Sequence, residues 1–351
     1  MHDVVIIVNG PFYVLHALTL YEQLASQKHV SIVVTYVKSI HTYLESLNLT
    51  LRTLVFYDTS SIPEIRLKHP LQARQIVAQA RQRCRPLVNR FQDAEVYYSG
   101  DQVDLVELML IMGLRRRNRI VNFGLPPYKI VRDQPANLQE SIYLRFMRYL
   151  TGAHYYYGSI EGSPLNAHYA LFDSRACGIS EQVFDYDPAV LRKYCYRPPS
   201  RPIAPSVLFM ENDLGGMFYD YQQTTEAIIR ELMAIGCSIH IKPHPRLGYS
   251  KFLDNLPVTI LPAEIPCQLM TYSFDVAMAV GCTSMVDFLL LGRPVFALDR
   301  IYRYQNLDEG GYFVEYLAKE PRLQKAGVTV PLPATVAELC RAVQATALQP
   351  R

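Results

Sequence analysis

The chain of 351 residues has no tryptophan, and its seven cysteines include no C-x-x-C pair. An odd number of scattered cysteines argues against a disulfide framework and against a structural zinc site. No apolar stretch is long enough to span a membrane, because polar and charged side chains interrupt the longest one, residues 274–298. The first residues lack the basic segment of a cleaved signal peptide. We therefore expect a soluble, cytoplasmic protein whose cysteines are small core residues.

A strong net charge is also absent. The 35 basic and 32 acidic residues leave a formal charge of +3, which disfavours nucleic acid as the main partner. Half of the residues are hydrophobic, so the composition is that of a globular protein, and its length predicts about two domains.

Three common chemical signatures are missing as well. The sequence contains no G-x-G-x-x-G, no P-loop and no G-x-S-x-G elbow, which disfavours dinucleotide, P-loop and serine-hydrolase chemistry. His240 and His244 are four residues apart, but on a predicted strand and turn without a partner carboxylate. We expect neither a metal nor a bound cofactor.

Buried strands alternate with helices in both halves of the chain, which predicts two doubly wound α/β domains. Residues 143–196 interrupt this alternation, and we expect short helices and loops there. Four prolines in residues 197–205 predict a linker between domains 1–196 and 206–351. Strands are predicted at 4–8, 30–36, 53–57, 96–99, 120–121, 207–210, 238–242, 258–261, 276–280 and 295–298. Helices are predicted at 12–25, 69–90, 104–114, 222–235 and 283–291, and a last one begins at Thr335 through a capping box with Glu338.

The segment Lys242-Pro-His-Pro-Arg246 follows a predicted strand and holds the most informative chemistry. Two prolines stiffen the loop around His244, between two cations, which suits a phosphate whose leaving group the imidazole could protonate. A simple turn at the end of the strand is the alternative reading.

Two further loops follow predicted strands of the same domain. Thr283 and Ser284 begin a predicted helix, where free N–H groups and the helix dipole favour an anion, although such residues cap helices of every function. Residues 211–216 form a polar loop whose glycines allow a ligand close to the backbone.

Together, these segments resemble the bacterial GT-B sialyltransferases and polysialyltransferases of lipooligosaccharide and capsule synthesis. The resemblance spans most of the chain and rests on the order of five segments. They are the strand and turn at 8–12, the strand, loop and helix at 207–236, the His-Pro motif at 242–246, the Ile-Pro segment at 265–268 and the hydroxyl pair at 283–284.

The resemblance implies a GT-B fold, two Rossmann-like domains facing each other across a cleft. It further implies inverting, metal-independent transfer of a sialic-acid-type sugar from a CMP-linked donor to a cell-surface glycan or glycolipid. His244 would bind the donor phosphate and assist departure of CMP, and the acceptor would approach the N-terminal domain near Gly10. The implied donor-binding residues are Glu211, Asn212, Lys242, Pro245, Arg246, Glu264, Gln268, Thr283 and Ser284.

Two departures from the family pattern concern acidic residues. The acidic pair that supplies the general base is replaced by Asn122-Phe123 before Gly124, and the glutamate of the Ile-Pro segment by Gln268, unless Glu264 takes its place. Asp101 is the replacement base we predict, with Asp104 and Asp133 as other candidates; for Asp101 and Asp104 an ordinary role at a helix start is the competing reading.

Alternatives to a sialyltransferase remain open. One is a degenerate, non-catalytic nucleotide-sugar-binding protein, and another is a transferase that uses a different CMP- or CDP-linked donor. Arg115–Arg119 could hold the protein peripherally at an anionic inner membrane, although charged helix ends are more often simply solvated. A homodimer is compatible with the sequence.

Overall fold

The computed structural model describes most of the chain as two compact units. The units are Met1–Val190 and Leu191–Arg351, called the N-terminal and C-terminal unit below. The described residues are 3–35, 38–59, 70–100, 104–123, 130–133, 137–160, 169–182, 187–198, 205–211, 215–245, 247–282, 284–305, 317–318 and 320–347. Six residues of the predicted linker, 199–204, lie outside these ranges.

The N-terminal unit is built around a parallel sheet. Its strands are β1 (Asp3–Val8), β2 (His29–Thr35), β3 (Thr53–Tyr57), β4 (Glu95–Tyr98), β5 (Arg119–Phe123), β6 (Ile130–Asp133), β7 (Tyr155–Ile160), β8 (Tyr169–Phe172) and β9 (Ser180–Gln182). Its helices are α1 (Pro11–Leu24), α2 (Lys38–Ser46), α3 (Pro70–Arg90), α4 (Leu105–Leu114) and α5 (Leu138–Thr151), and α6 (Pro188–Lys193) spans the unit boundary. The parallel strands lie in the order β3-β2-β1-β4-β5-β9.

Local sequence explains where these elements begin and end. Residues 4–8 of β1 are completely buried, as expected for a strand covered by helices on both faces. The Asp104 carboxylate accepts the Glu107 N–H at 2.7 Å and so caps α4, which gives Asp104 the ordinary helix-start role. Asn137 caps α5 in the same way, and Gly152 ends it in the left-handed conformation with φ 76°.

The structure corrects the prediction for residues 143–196. The segment contains the short helices Arg175–Cys177 and Pro188–Lys193, but α5 also continues into it as far as Thr151, and its strands β7 and β8 form a three-stranded antiparallel sheet with β6. Three consecutive tyrosines, Tyr155–Tyr157, lie in β7, and aromatic residues favour strands. Because all three are amphipathic, they hide the alternation of apolar and polar residues that identifies a half-buried strand.

The C-terminal unit repeats the same winding. Its strands are β10 (Ser206–Glu211), β11 (Ser238–Pro243), β12 (Thr259–Ile260), β13 (Val276–Ala279) and β14 (Val295–Ala297), all parallel in the order β12-β11-β10-β13-β14. Its helices are α7 (Tyr221–Ala234), α8 (Met285–Leu290), α9 (Pro321–Ala326) and α10 (Val336–Ala347). Half of the predicted capping box of α10 is present: Thr335 Oγ1 accepts the Glu338 N–H, whereas Glu338 Oε2 accepts the N–H of Ala334 instead of that of Thr335.

Both sheets therefore have a first strand from which the chain winds outward in two directions, which confirms the predicted α/β class with two Rossmann-like sheets. The direction reverses between β1 and β4 in one unit and between β10 and β13 in the other. Ligands of such sheets bind beyond the carboxyl ends of the strands at this switch point. No helix within the described ranges is long and apolar enough to cross a membrane.

Candidate functional site

The loop after β11 holds His244 in a defined orientation. His244 and Gly248 exchange two backbone hydrogen bonds of 2.9 Å, and Gly248 has the left-handed φ of 80° that this tight turn requires. The Leu247 N–H donates to His244 Nδ1 at 3.1 Å. Because Nδ1 accepts this bond, the proton of the neutral ring resides on Nε2. His244 is half-buried and Pro245 is exposed, while Arg246 lies outside the described residues.

Lys242 lies at the end of the same strand with its side chain buried. Its Nζ donates to the carbonyl oxygens of Pro243 at 2.7 Å and Ala263 at 2.8 Å. Burial lowers the pKa of Lys242 to about 8, although nearby groups that include Glu264 oppose this change. Lys242 is thus a partly desolvated cation whose charge an anionic ligand would stabilise.

Glu211, at the end of β10, anchors the loop that carries His244. Glu211 is buried, and its Oε1 accepts hydrogen bonds from the Tyr221 hydroxyl at 2.7 Å and the Ser250 hydroxyl at 2.8 Å. Its Oε2 accepts the Ser250 N–H at 3.1 Å. Both carboxyl oxygens therefore accept hydrogen bonds from protein groups. Because Ser250 supplies two of these bonds, Glu211 positions the end of the loop at residues 244–250. Asn212, which follows Glu211, lies outside the described residues.

The loop after β13 differs from the predicted anion site. The helix predicted at 283–291 begins only at Met285 and has six residues, and the Ser284 hydroxyl does not cap it. The N–H groups of Met285 and Asp287 donate to the carbonyl oxygens of Cys282 and Ser284. The tight turn before α8 therefore uses these two N–H groups. Thr283 lies outside the described residues.

Gln268 also has a structural partner. It is buried in a short 3-10 helix, Cys267–Met270, and its Nε2 donates to Asp287 Oδ2 at 2.9 Å. The second oxygen of Asp287 lies 3.5 Å from Arg322 Nη1. Gln268 therefore joins its loop to α8 through its amide. Glu264 is half-buried on the preceding segment.

A buried acid that sequence reasoning missed completes this edge of the sheet. Asp299, just after β14, accepts the Gly281 N–H at 3.1 Å and the Tyr304 hydroxyl at 2.7 Å through Oδ1. Burial raises the pKa of Asp299. Asp299 thereby ties the loop after β14 to the loop after β13. The feature of the sequence that could have identified Asp299 is its position as an acid directly after a wholly apolar predicted strand.

The N-terminal unit brings a second polar cluster to its own switch point. Asn9, after β1, donates through Nδ2 to the Ser99 carbonyl at 3.3 Å and to Glu107 Oε2 at 3.1 Å. Glu107 is buried, and burial together with the charge of Asp104 raises its pKa well above the usual range. Sequence reasoning missed Glu107, whose signal is a single acid within the apolar helix segment Leu105–Leu114.

The remaining acceptor-side residues have mixed outcomes. Asn122 is buried in β5, where its Oδ1 accepts the Gly100 N–H at 3.0 Å and its Nδ2 donates to Ser174 Oγ at 3.2 Å. Gly10 has extended backbone and precedes α1. Asp133 ends β6 of the antiparallel sheet rather than a strand of the parallel one. Asp101 and Gly124 lie outside the described residues.

Comparison with known proteins gives only distant structural likenesses. No protein-family model and no curated protein sequence matches this chain. The UDP-GlcNAc 2-epimerase of Neisseria meningitidis bound to UDP-GlcNAc is 12% identical, with a TM-score of 0.45 over 99% of both chains. The E. coli heptosyltransferase WaaC with ADP is 11% identical, with a TM-score of 0.46 over 98% of this chain and 100% of its own. The S. aureus MnaA–UDP complex is 11% identical, with a TM-score of 0.48 over 99% of this chain and 88% of its own.

Proposed function

We propose that the protein is a glycosyltransferase that takes a sialic-acid-type sugar from a CMP-linked donor and passes it to a cell-surface glycan, with inversion and without a metal. The observation that carries this proposal is the loop at 244–250. It carries a histidine protonated at Nε2 just beyond the carboxyl end of a parallel strand, and the buried cation Lys242 lies two residues earlier, at the end of that strand. Such a pair suits a phosphate that must be bound and then released.

In the proposed reaction, the acceptor hydroxyl oxygen forms a bond to the anomeric carbon of the donor. The bond between that carbon and the phosphate oxygen breaks, and its electron pair leaves with CMP. His244 Nε2–H donates a hydrogen bond to the phosphate and stabilises the charge that develops there, and the positive charge of Lys242 stabilises the same group. Asp101 is proposed to take the proton from the acceptor hydroxyl.

The test of donor binding uses calorimetry with CMP, CMP-sialic acid, CDP-glycerol, UDP-GlcNAc and ADP. We expect the two CMP ligands to bind the wild-type protein and His244→Ala to weaken them at least about tenfold, the loss of one charge-assisted hydrogen bond. His29→Ala, a change at an exposed histidine of the N-terminal unit, is the control and should bind normally. Equal affinity of wild type and His244→Ala for CMP would contradict the proposal. Tighter binding of a UDP or ADP ligand than of CMP would mean that the donor is not CMP-linked.

Turnover distinguishes the transferase from a binding protein. The second candidate, nucleotide-sugar binding without transfer, is favoured by Asn122, which stands where the family pattern has an acid and whose amide oxygen and nitrogen both bond within the protein. His244→Gln keeps an N–H donor near the position of Nε2, so it should retain CMP affinity and most of the rate of CMP release, whereas His244→Ala, which has no donor, should lose about tenfold or more in release. Asp101→Asn should also reduce release at unchanged affinity. CMP binding without release on any glycan acceptor would establish the second candidate.

The pH dependence of CMP binding tests Lys242 directly. Because burial lowers the pKa of Lys242 to about 8, its charge is lost as the pH rises through 8, and CMP should then bind more weakly by up to about tenfold per pH unit. Binding near pH 8 should take up protons, which calorimetry detects as a heat that varies with the ionisation enthalpy of the buffer. Lys242→Arg stays charged and should show no such decline. An identical decline in both proteins would exclude Lys242 as its source.

A further inference from the structure

A cavity of about 570 Å³ lies in the N-terminal unit among α3, α4 and the end of α5. Its apolar wall includes Val88, Met109 and Met112, and four arginines are also among its lining residues: Arg81, Arg85, Arg115 and Arg116. The residues that form it belong to the helix ends that lead into β4 and β5. The cavity is therefore at the amino-terminal edge of the sheet, opposite the switch point where Asn9 and Glu107 lie.

Among the described residues that line this arginine cavity, the charged ones are all arginines, so the charge of the lining has one sign. Arg81 Nη2 donates to the Leu150 carbonyl at 2.9 Å, so it offsets the negative end of α5. Among the described residues, Arg85, Arg115 and Arg116 have no ion-pair partner and their side chains are exposed. The small net charge of the chain thus conceals a locally basic surface.

Apolar side chains extend this surface beyond the cavity. Leu71, Arg74, Arg81 and Arg85 are spaced so that they lie along one stripe of α3, a helix with five arginines and no acidic residue. Arg74 donates to the hydroxyl of Tyr149 on α5 at 2.8 Å. Leu71 is 75% exposed and Tyr149 is 70% exposed. Exposed leucine and tyrosine beside arginines are typical of a surface that enters the headgroup region of a membrane.

We propose that the arginine cavity and the adjoining stripe of α3 bind an anionic phospholipid at a membrane surface. The lipid phosphate would lie on Arg85, Arg115 and Arg116, and the first carbons of the lipid on Val88 and Met112. A free phosphate would gain nothing from the apolar wall, and a nucleic acid would leave the wall and Leu71 uncovered. The proposal does not depend on the donor or on catalysis, although it would place the protein where lipid-linked glycans are assembled.

Sedimentation with vesicles tests this proposal. We expect the full chain to sediment with phosphatidylcholine vesicles that contain phosphatidylglycerol, and not with phosphatidylcholine alone. The triple variant Arg85→Glu, Arg115→Glu, Arg116→Glu should lose about a hundredfold in affinity. The control makes the same change in charge at three exposed residues of the C-terminal unit: Arg300→Glu, Lys325→Glu, Arg341→Glu. If the control loses as much affinity as the first variant, binding is diffuse attraction and the proposal is wrong.

A soluble short-chain phosphatidic acid separates the cavity from the surface around it. It should bind in a saturable way, and Met112→Gln, which leaves the charge unchanged, should weaken it severalfold, while inorganic phosphate at the same concentration should not bind. Far-ultraviolet circular dichroism establishes that each variant is folded. Equal binding of inorganic phosphate, or tighter binding of a single-stranded RNA that the arginine triple variant abolishes, would overturn the assignment to a lipid. Loss of CMP binding would not affect it.

Discussion

Replacing Glu211 by leucine is expected to lower the free energy of unfolding of the C-terminal unit by about 3 kcal/mol or more. Glu211 is only 1% exposed, and its carboxylate accepts hydrogen bonds from the Tyr221 hydroxyl and from both the hydroxyl and N–H of Ser250. Leucine fills a similar volume but leaves three donors without their acceptor, at about 1–3 kcal/mol for each one that remains buried and unpaired. The loss of stability arises because the substitution removes the hydrogen bonds that connect β10 to the loop at 244–250.

Urea denaturation followed by circular dichroism measures this loss, and hydrogen exchange locates it. Exchange should increase at residues 244–250, because Ser250 no longer anchors the end of that loop. Tyr221→Phe removes one of the three donors and should cost less than Glu211→Leu. Glu226→Gln on α7 affects a partly exposed ion pair with Arg230 and should change stability by less than about 1 kcal/mol. A loss below 1 kcal/mol in Glu211→Leu would mean that the network does not hold the loop.

The sheets were predictable because their strands are short apolar runs bounded by turn residues. Runs such as residues 4–8 and 207–210 are buried on both faces, so composition alone identifies them without any alternation. The antiparallel sheet was not predictable in this way, because β7 carries three tyrosines in succession. The start of α8 was misplaced because the turn before it satisfies its own N–H groups, a property of backbone geometry that residue identity does not reveal.

The candidate site was predictable where chemistry depends on a position next to a strand end. Lys242 lies at the end of β11 and His244 directly follows it, so the structure places both at the carboxyl edge of the sheet. The role of Glu211 was not predictable, because its partner Ser250 is 39 residues away in the chain. The same is true of Gln268 and Asp287, whose contact depends on how a loop packs against α8. Contacts between residues far apart in the chain thus decide whether a polar residue near a site is available to bind a ligand or is bonded within the protein.

Glu107→Gln is expected to stabilise the N-terminal unit above pH 5, by an amount that grows with pH. Burial and the charge of Asp104 raise the pKa of Glu107 in the folded protein well above the value of about 4.5 that it has when unfolded. Below pH 4.5 the carboxyl is protonated in both states. Between 4.5 and the folded pKa, the unfolded chain releases the proton and the folded one retains it, so the wild-type protein loses stability as the pH rises.

Glutamine removes this ionisation and can still accept the hydrogen bond from Asn9 Nδ2. Unfolding measured in urea from pH 4.5 to 9 should therefore give nearly equal stabilities at the acidic end, and a difference that increases by up to about 1.4 kcal/mol per pH unit above it. Hydrogen exchange of peptides covering β4 and α4 assigns the difference to the N-terminal unit.

Glu95, in the strand that precedes α4, provides a control of opposite sign. Burial raises the pKa of Glu95, but the hydrogen bond and charge of Lys28, with the charge of Arg119, outweigh burial and lower it. Its ion pairs stabilise the protein above pH 4.5 and are lost as the pH falls through the folded pKa, so Glu95→Gln should be less stable than wild type at pH 7. If Glu107→Gln, like Glu95→Gln, is less stable than wild type at pH 7, then Glu107 is ionised in the folded protein. That result would contradict the prediction that its buried carboxyl is protonated.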